Sequence, residues 1–198
     1  MSAVTYLARA ERQNIKLQRT TIIMGMYLYL VCLPIKRKEE ITMKENIREA
    51  NLLDFDSIEK LEKQVFKMHI DARPDLFEKN YFTKKYFEES FKNGHTKIFV
   101  FEEDGNILGH CIIDEYEEVG DPIYYDVKGI FIDSMCVDES AKGRQIGRAL
   151  VDRAKSYAKE VGATRLDLLV YDFNKDAKKF YERLGLTTKS SFMEINIE

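Results

Sequence analysis

The chain has 198 residues, 44% apolar, 33% charged and 12% aromatic, with three Pro and ten Gly. That suffices for one cored domain, leaves two cramped, and excludes intrinsic disorder, collagen-like repeats and Pro/Gly-rich low complexity. A formal net charge of −3 gives no general attraction to nucleic acid, and no such partner is expected.

The charge is uneven along the chain. Residues 1–42 carry seven Lys/Arg against three Asp/Glu, whereas residues 43–198 carry 24 against 31. The uncharged run 20–35 follows Arg9, Arg12, Lys16 and Arg19, and falls short of the roughly 18–20 apolar residues that span a bilayer. No small-x-small cleavage pattern follows it, and Val31 before Cys32 makes a poor lipoprotein processing site. No stable membrane insertion is therefore expected. Lys38-Glu39-Glu40-Ile41-Thr42-Met43 back-translates into a purine-rich ribosome-binding sequence just upstream of a Met codon. This predicts that translation starts at Met43 and that residues 1–42 are an upstream extension, not part of the native protein. A signal or membrane-proximal anchor and an extra helix packed on the domain are the competing readings.

From Met43 the pattern is regular. Residues 46–50 form a short predicted strand. Asp54 or Asp56 caps a helix with Ile58, Leu61, Val65 and Phe66 on one face. Pro74 suits the first turn of a second helix carrying Leu76, Phe77, Tyr81, Phe82, Tyr86, Phe87 and Phe91, which Asn93-Gly94 ends. Residues 97–102 and 106–116 flank Glu103-Asp104-Gly105, a hairpin signal. The stretch 114–126 holds six acids and no base, with Gly120 and Pro122: a loop or strand edge, solvated or attractive to a cationic amine. Residues 127–137 read as a long buried strand, and 145–161 as an amphipathic helix with Ile146, Leu150, Ala154, Tyr157 and Val161 inward. A strand over 165–171, a helix over 175–184 and a final strand over 192–197 complete the chain. A hairpin followed by alternating helices and strands makes the class α/β or α+β with a mixed sheet.

Cys32, Cys111 and Cys136 are an odd, scattered set, and His69, His95 and His110 are equally dispersed. Neither a closed disulfide framework nor a metal site is expected. Reduced thiols in a cytoplasmic protein are the simplest reading. Cys136 has no His nearby in sequence to activate it and reads as a core thiol.

The chemistry-bearing stretch is 134–150, SMCVDESAKGRQIGRAL. A buried strand ends near Val137, a loop follows, and a helix begins near Gln145. Gly143 and Gly147 allow close backbone approach, and main-chain N–H groups at a helix start attract anions. Lys142, Arg144 and Arg148 add positive charge to an acidic domain, so a pyrophosphate is the natural guest. There is no Gly-Lys-Ser/Thr ending and no GxGxxG. By spacing alone, an ordinary strand–turn–helix with solvated basic residues fits equally well.

This stretch resembles motif A of the GNAT superfamily of N-acetyltransferases, Arg/Gln-x-x-Gly-x-Gly/Ala, at Lys142, Gln145 and Gly147. Lys142 departs conservatively; Gln145 stands where the first glycine belongs. Downstream, Asn174-x-x-Ala177-x-x-Phe180-Tyr181-x-x-Leu184-Gly185-Leu186 resembles the second signature of that superfamily. The resemblance runs from about Glu45 to the C-terminus, making 43–198 the acetyltransferase domain.

It implies an α/β GNAT fold: a mixed sheet splayed between two parallel central strands, here 127–137 and 165–171, flanked by helices. Acetyl-CoA is the implied co-substrate, with no metal. Its pantetheine arm would pair with main chain at Met135, Cys136 and Val137. Its pyrophosphate would sit on Lys142, Gly143, Arg144, Gln145, Ile146, Gly147 and Arg148, with Asn174 hydrogen-bonding the coenzyme. The implied reaction is direct transfer from the thioester to a primary amine, of a small molecule or of a protein N-terminus or lysine. The alternative is a non-catalytic acyl-CoA-binding module. An ammonium must lose its proton before it attacks, and Asp133 is the first candidate base, ahead of Asp167. Some relatives carry a carboxylate at the position of Leu169, so that route is missing here. Tyr181 is expected to hydrogen-bond the departing sulfur. His69, Arg73 and Phe82 are candidate acceptor contacts, most of the aromatic stripe being core. A homodimer is compatible with the sequence.

Overall fold

The computed structural model describes residue 43 and residues 45–78 and 82–197. From Asn46 onward these form one unit. The extension at residues 1–42 and the ring of Tyr81 lie outside the described residues.

Strand β1 (Ile47–Glu49) leads through a 3-10 turn (Leu52–Asp54) into helix α1 (Phe55–Ala72). Helix α2 (Lys84–Ser90) precedes β2 (Thr96–Glu103), β3 (Asn106–Glu118) and β4 (Val127–Val137). Helix α3 (Ile146–Glu160), β5 (Arg165–Leu168) and α4 (Lys175–Arg183) follow. The sheet runs β1-β2-β3-β4-β5, antiparallel as far as β4, with β5 parallel to β4. The turn between β2 and β3 holds Asp104 at φ 50° and Gly105 at φ 74°, the consecutive left-handed residues that a two-residue hairpin needs.

Period-two alternation gives the sheet two buried faces. Ile98, Val100 and Ile112 pack under Ile58 of α1 and the rings of Phe82 and Phe87. Phe99, Phe101, Cys111 and Ile113 fill the other face, where Phe99 meets Tyr157 of α3 at 5.7 Å between ring centroids. Tyr116 lies over Gly129, its directly paired neighbour, and reaches Asp167 on β5 with its hydroxyl. A Cβ at Gly129 would fall 2.2 Å from that ring, so only glycine permits the strap.

Three expectations are corrected. Neither Asp54 nor Asp56 caps α1 with its side chain. Asn51 instead caps the preceding turn, and Asp54 accepts from Asn51 N–H (2.7 Å) and Arg48 (2.7 and 2.9 Å). The Arg48 guanidinium holds that carboxyl below its usual range. The second helix starts at Lys84, not Pro74. Thr83 accepts from Tyr86 N–H, a better start than proline alone, while residues 74–76 only turn away from the Arg73 end of α1. No strand forms over 192–197: Phe192, Met193, Ile195 and Ile197 are all more than 80% exposed, and no described strand lies beyond β5 to pair with them. That tail is tethered by Glu194 to Arg73 at 2.6 Å.

Candidate active site

The β4–β5 ladder runs from Gly129↔Arg165 to Ile132↔Leu168 and stops there. Strand β4 continues to Val137, paired only with β3. The main chain of Asp133–Val137 therefore has an open side where the two parallel strands part. A bulge marks the same point: Ser134 pairs with Ile112 and Ile132 with Ile113, which leaves Asp133 as the extra residue. The bulge interrupts alternation, so Asp133 and Ser134 both address the α1/α2 side of the sheet.

There Asp133 lies 3.4 Å from the hydroxyl of Tyr86 on α2. Desolvation, then the Asp114 and Glu62 carboxylates, raise Asp133 above the ordinary carboxylate range; the Tyr86 hydrogen bond only partly offsets them. Partial desolvation, then the Asp133 and Asp114 carboxylates, raise the phenol of the partly exposed Tyr86, so it keeps its proton. Behind Asp133, Glu62 of α1 meets His110 of β3 at 2.7 Å, both side chains at most 1% exposed. The Ser134 hydroxyl is 3.5 Å from the same ring nitrogen, at the limit of a hydrogen bond. Sequence reading missed Glu62, Tyr86, His110 and Ser134 as a group, because four separate elements supply them and no local motif links them.

The sheet also sets His110 directly opposite Cys136. Burial nonetheless pushes the Cys136 thiol up to about 12, away from the thiolate a nucleophile needs. Asp167, the second candidate base, is engaged elsewhere: it accepts from Tyr116 and lies 4.0 Å from Lys189.

At the other end of the splay, Asp138 caps a 3-10 turn (Glu139–Ala141), and α3 starts at Ile146 with no side-chain cap. Its first N–H groups are thus open to an anion. Gly143 and Gln145 both lie in the left-handed region, at φ 82° and 65°. Alternation of this kind makes successive N–H groups converge. The glycine missing from the motif is missing where the backbone wants one, since a left-handed L-residue costs roughly 1 kcal/mol. Gln145→Gly is accordingly expected to stabilise the fold by about 0.5–1 kcal/mol, after its extra unfolded-state entropy, as read by urea unfolding. A loss of stability would refute the strain.

The three basic side chains of this loop already have acidic neighbours. Arg144 is bound to Glu103 at 2.7 Å, Lys142 lies 3.7 Å from Glu139, and Arg148 lies 3.9 Å from Asp152. The Lys142 and Arg144 N–H groups are turned back to Glu139 and Ala141 carbonyls, so what the loop offers is the main-chain N–H groups of Gly143, Gln145 and the first residues of α3. Gly147 has a packing reason: its Cβ would stand 3.2 Å from the Phe180 ring, so α4 seats closely on the start of α3.

That seating fixes the rest. Asn174 caps α4 by accepting from Ala177 N–H, which leaves its amide nitrogen free of that duty. Tyr181, beside Phe180 at 5.1 Å, is half-buried near Cys111, and desolvation pushes its phenol up. Met135 and Val137 lie along the same open stretch of β4. Of the acceptor candidates, His69 joins a ring cluster with Phe77, Tyr171 and Phe173 that links the end of α1 to the loop after β5. Arg73 is paired with Asp75 and Glu194, and Phe82 is a core ring stacked on Phe55 at 6.0 Å.

Among the described residues no His/Cys/Asp/Glu cluster could hold a metal, and no helix is long and apolar enough to cross a membrane. The model of the acetyltransferase (GNAT) family matches residues 62–186. The uncharacterized N-acetyltransferase MJ1207 of Methanocaldococcus jannaschii is 34% identical over 125 residues, covering 57% of this chain and 51% of that one. The chain thus spans about half the length of this curated relative. A tetramutant of the BH1408 protein from Bacillus halodurans superposes with a TM-score of 0.74 at 30% identity, over 76% of this chain and 99% of that one. The aminoglycoside N-acetyltransferase AAC(6')-Iy in complex with CoA superposes with a TM-score of 0.59 over 77% of this chain and 98% of that one. At 15% identity, that likeness speaks for the fold alone. With a family match across more than half its length and a splayed mixed sheet to go with it, the chain belongs to the GNAT family of acetyltransferases.

Proposed function

We propose that this N-acetyltransferase moves an acetyl group directly from acetyl-CoA to a cationic primary amine, with Asp133 accepting the amine proton. The observation that carries the reading is the position of the Asp133 carboxylate, at the bulge where β4 and β5 part and beside the Tyr86 hydroxyl.

The residues present suit the coenzyme. The open main chain at Met135, Cys136 and Val137 suits an amide-bearing arm. The uncapped start of α3, with Gly143 and Gln145 left-handed before it, suits a pyrophosphate, and the amide of Asn174 remains to donate nearby. Acetyl-CoA, when bound, supplies the activated acyl thioester.

The chain's own part is proton handling and orientation. An ammonium with a pKa near ~10 must shed a proton before its lone pair can attack, and a base stronger than an ordinary aspartate takes it more readily. Glu62, Asp114 and Asp133 give that side of the sheet a negative field that favours an ammonium over a neutral or anionic acceptor. Tyr181 holds its proton tightly and can donate a hydrogen bond where negative charge develops on the leaving sulfur. Full proton transfer from so weak an acid is not required.

The test is thiol release from acetyl-CoA across polyamines, amino acids, aminoglycosides and peptides bearing a free N-terminus or lysine. Turnover on cationic amines is expected. Tyr181→Phe should lower kcat about 10- to 100-fold with the coenzyme Kd unchanged, as for one lost transition-state hydrogen bond. Coenzyme binding without turnover on any amine, with Tyr181→Phe silent, would instead make this a binding module.

A further inference from the structure

The mechanism above leaves the segment after α4 unused. Gly185, at φ 90°, ends that helix, and the Leu186 N–H closes on the Tyr181 carbonyl at 3.1 Å. Beyond Leu186, among the described residues, no main-chain group is hydrogen-bonded to main chain. Two ion pairs hold the segment instead, Lys189 to Asp167 at 4.0 Å and Glu194 to Arg73 at 2.6 Å. Exposed pairs of this kind hold a chain only weakly.

The register of the sheet fixes where Lys189 stands. Asp167 pairs with Phe131 in the parallel ladder, so both side chains address one face, and Ile130 and Ile132 address the other. Tyr116, lying over Gly129, reaches Asp167 on the first of these faces. Asp133 meets Tyr86 on that same face. Asp133 is two residues along β4 from Phe131 and one strand over from Asp167, roughly 8 Å between Cα atoms at the spacings of a sheet. The arm that carries Lys189 runs three residues on from Leu186, roughly 10 Å when extended. It is rooted on the last turn of α4, at the carbonyl of Tyr181. The amine thus starts on the acceptor side of the sheet and has the length of chain to reach Asp133.

We propose that Lys189 is an internal acceptor: the enzyme acetylates its own tail at this amine, within one molecule. The proposal rests on the acetyl-transfer reading above. One ammonium proton passes to Asp133 before attack. The Nζ–carbon bond then forms as the carbon–sulfur bond of the thioester breaks, its electron pair left on sulfur. A second proton leaves the nitrogen as the amide forms, and the departing thiolate ends protonated. Acetylation removes the charge that Asp167 pairs with, so the modified side chain has no ion pair to hold it on this face.

Exposure alone singles out other amines: the Lys67 and Lys85 side chains are 77% and 84% exposed, against 65% for Lys189. Uncatalysed acetylation should favour those two. Incubated with acetyl-CoA and no other amine, the protein should instead gain one acetyl group on Lys189, at least about tenfold faster than on either, as peptide mass spectrometry reads. The rate should not depend on protein concentration. Asp133→Asn should slow Lys189 about 100-fold and leave Lys67 and Lys85 unchanged. Lys189→Arg, which keeps a cation for Asp167, should abolish the modification and leave turnover on an external amine as it was. Without coenzyme, carbodiimide coupling should join Lys189 to Asp133 as well as to Asp167. Labelling in order of exposure, a rate proportional to protein concentration, an unaffected Asp133→Asn, or coupling to Asp167 alone would overturn the proposal. If external amines turn over while Lys189 stays bare, only self-acetylation fails; if no amine is acetylated at all, the acetyl-transfer reading fails with it.

Discussion

Asp133→Asn should lower kcat/KM about 100- to 1,000-fold, within the usual worth of a general base, and remove the acid limb of the pH profile. The asparagine oxygen still accepts from Tyr86, so the local packing survives and the proton acceptor alone is lost. The sign of the pH effect follows from the environment. Partial desolvation of a carboxyl that still faces solvent, together with the neighbouring carboxylates, raises the Asp133 pKa in the folded chain, so activity rises with pH through a midpoint above the ordinary aspartate value. Stability runs the other way. A carboxyl whose folded pKa exceeds its unfolded value stabilises the fold while protonated, and that contribution is lost as pH climbs through the folded pKa. Above that window the ionised group is a burden, and Asp133→Asn should raise the thermal midpoint at neutral pH while it lowers the rate. Thiol-release assays and thermal unfolding read the two halves. A variant that stays fully active, or one that is both inactive and destabilised, would remove Asp133 from its role.

Phe87→Ala should cost about 3–5 kcal/mol of stability, the range for deleting a fully buried large ring. Phe87 has no solvent exposure and meets Phe55 at 5.5 Å, Phe82 at 6.0 Å and Phe91 at 5.0 Å. It is the main apolar anchor of α2, a helix of only seven residues that could not persist by itself. The loss should therefore reach the site. Tyr86, the residue before it, would no longer be held beside Asp133, and kcat should fall in the fraction that stays folded. Urea unfolding with an unchanged slope gives the stability change, and the rate on folded protein gives the second effect. A cost below about 1 kcal/mol would mean that α2 is held by other contacts.

Local chemistry was legible in the sequence; long-range geometry was not. The β2–β3 hairpin was readable because Asp104-Gly105 carries its backbone requirement in two adjacent residues. The inward face of α3 was readable because Leu150, Ala154 and Tyr157 repeat at helical spacing, and all are buried. Pro74 misled because a proline suits both a helix start and the turn after a helix; the Thr83 cap decided between them. The pattern over 192–197 has strand character, but a strand also needs a partner, and its absence is a property of the sheet rather than of the segment. The proposed base, Asp133, was singled out from its position on a central strand, and the structure sets it at the β4 bulge beside Tyr86. Its surroundings could not be read that way: Glu62 and His110 are 48 residues apart, and Tyr86 and Asp133 are 47 apart. Gln145 is the converse case. The sequence flagged a motif departure, and the left-handed backbone gives the reason that glycine belongs there.

The bulge on β4 has a consequence for how this site could arise or vanish. Before it, Ile130 and Ile132 share one face of the sheet; after it, Met135 and Val137 share that same face. Parity along the strand is thus reset by a single residue. A chain lacking that residue would alternate without interruption, keep every apolar partner in register and fold on the same core, yet present no carboxylate to Tyr86. In this strand a one-residue deletion, like the Asp133→Asn substitution, would take away the proposed base and leave the apolar core as it is.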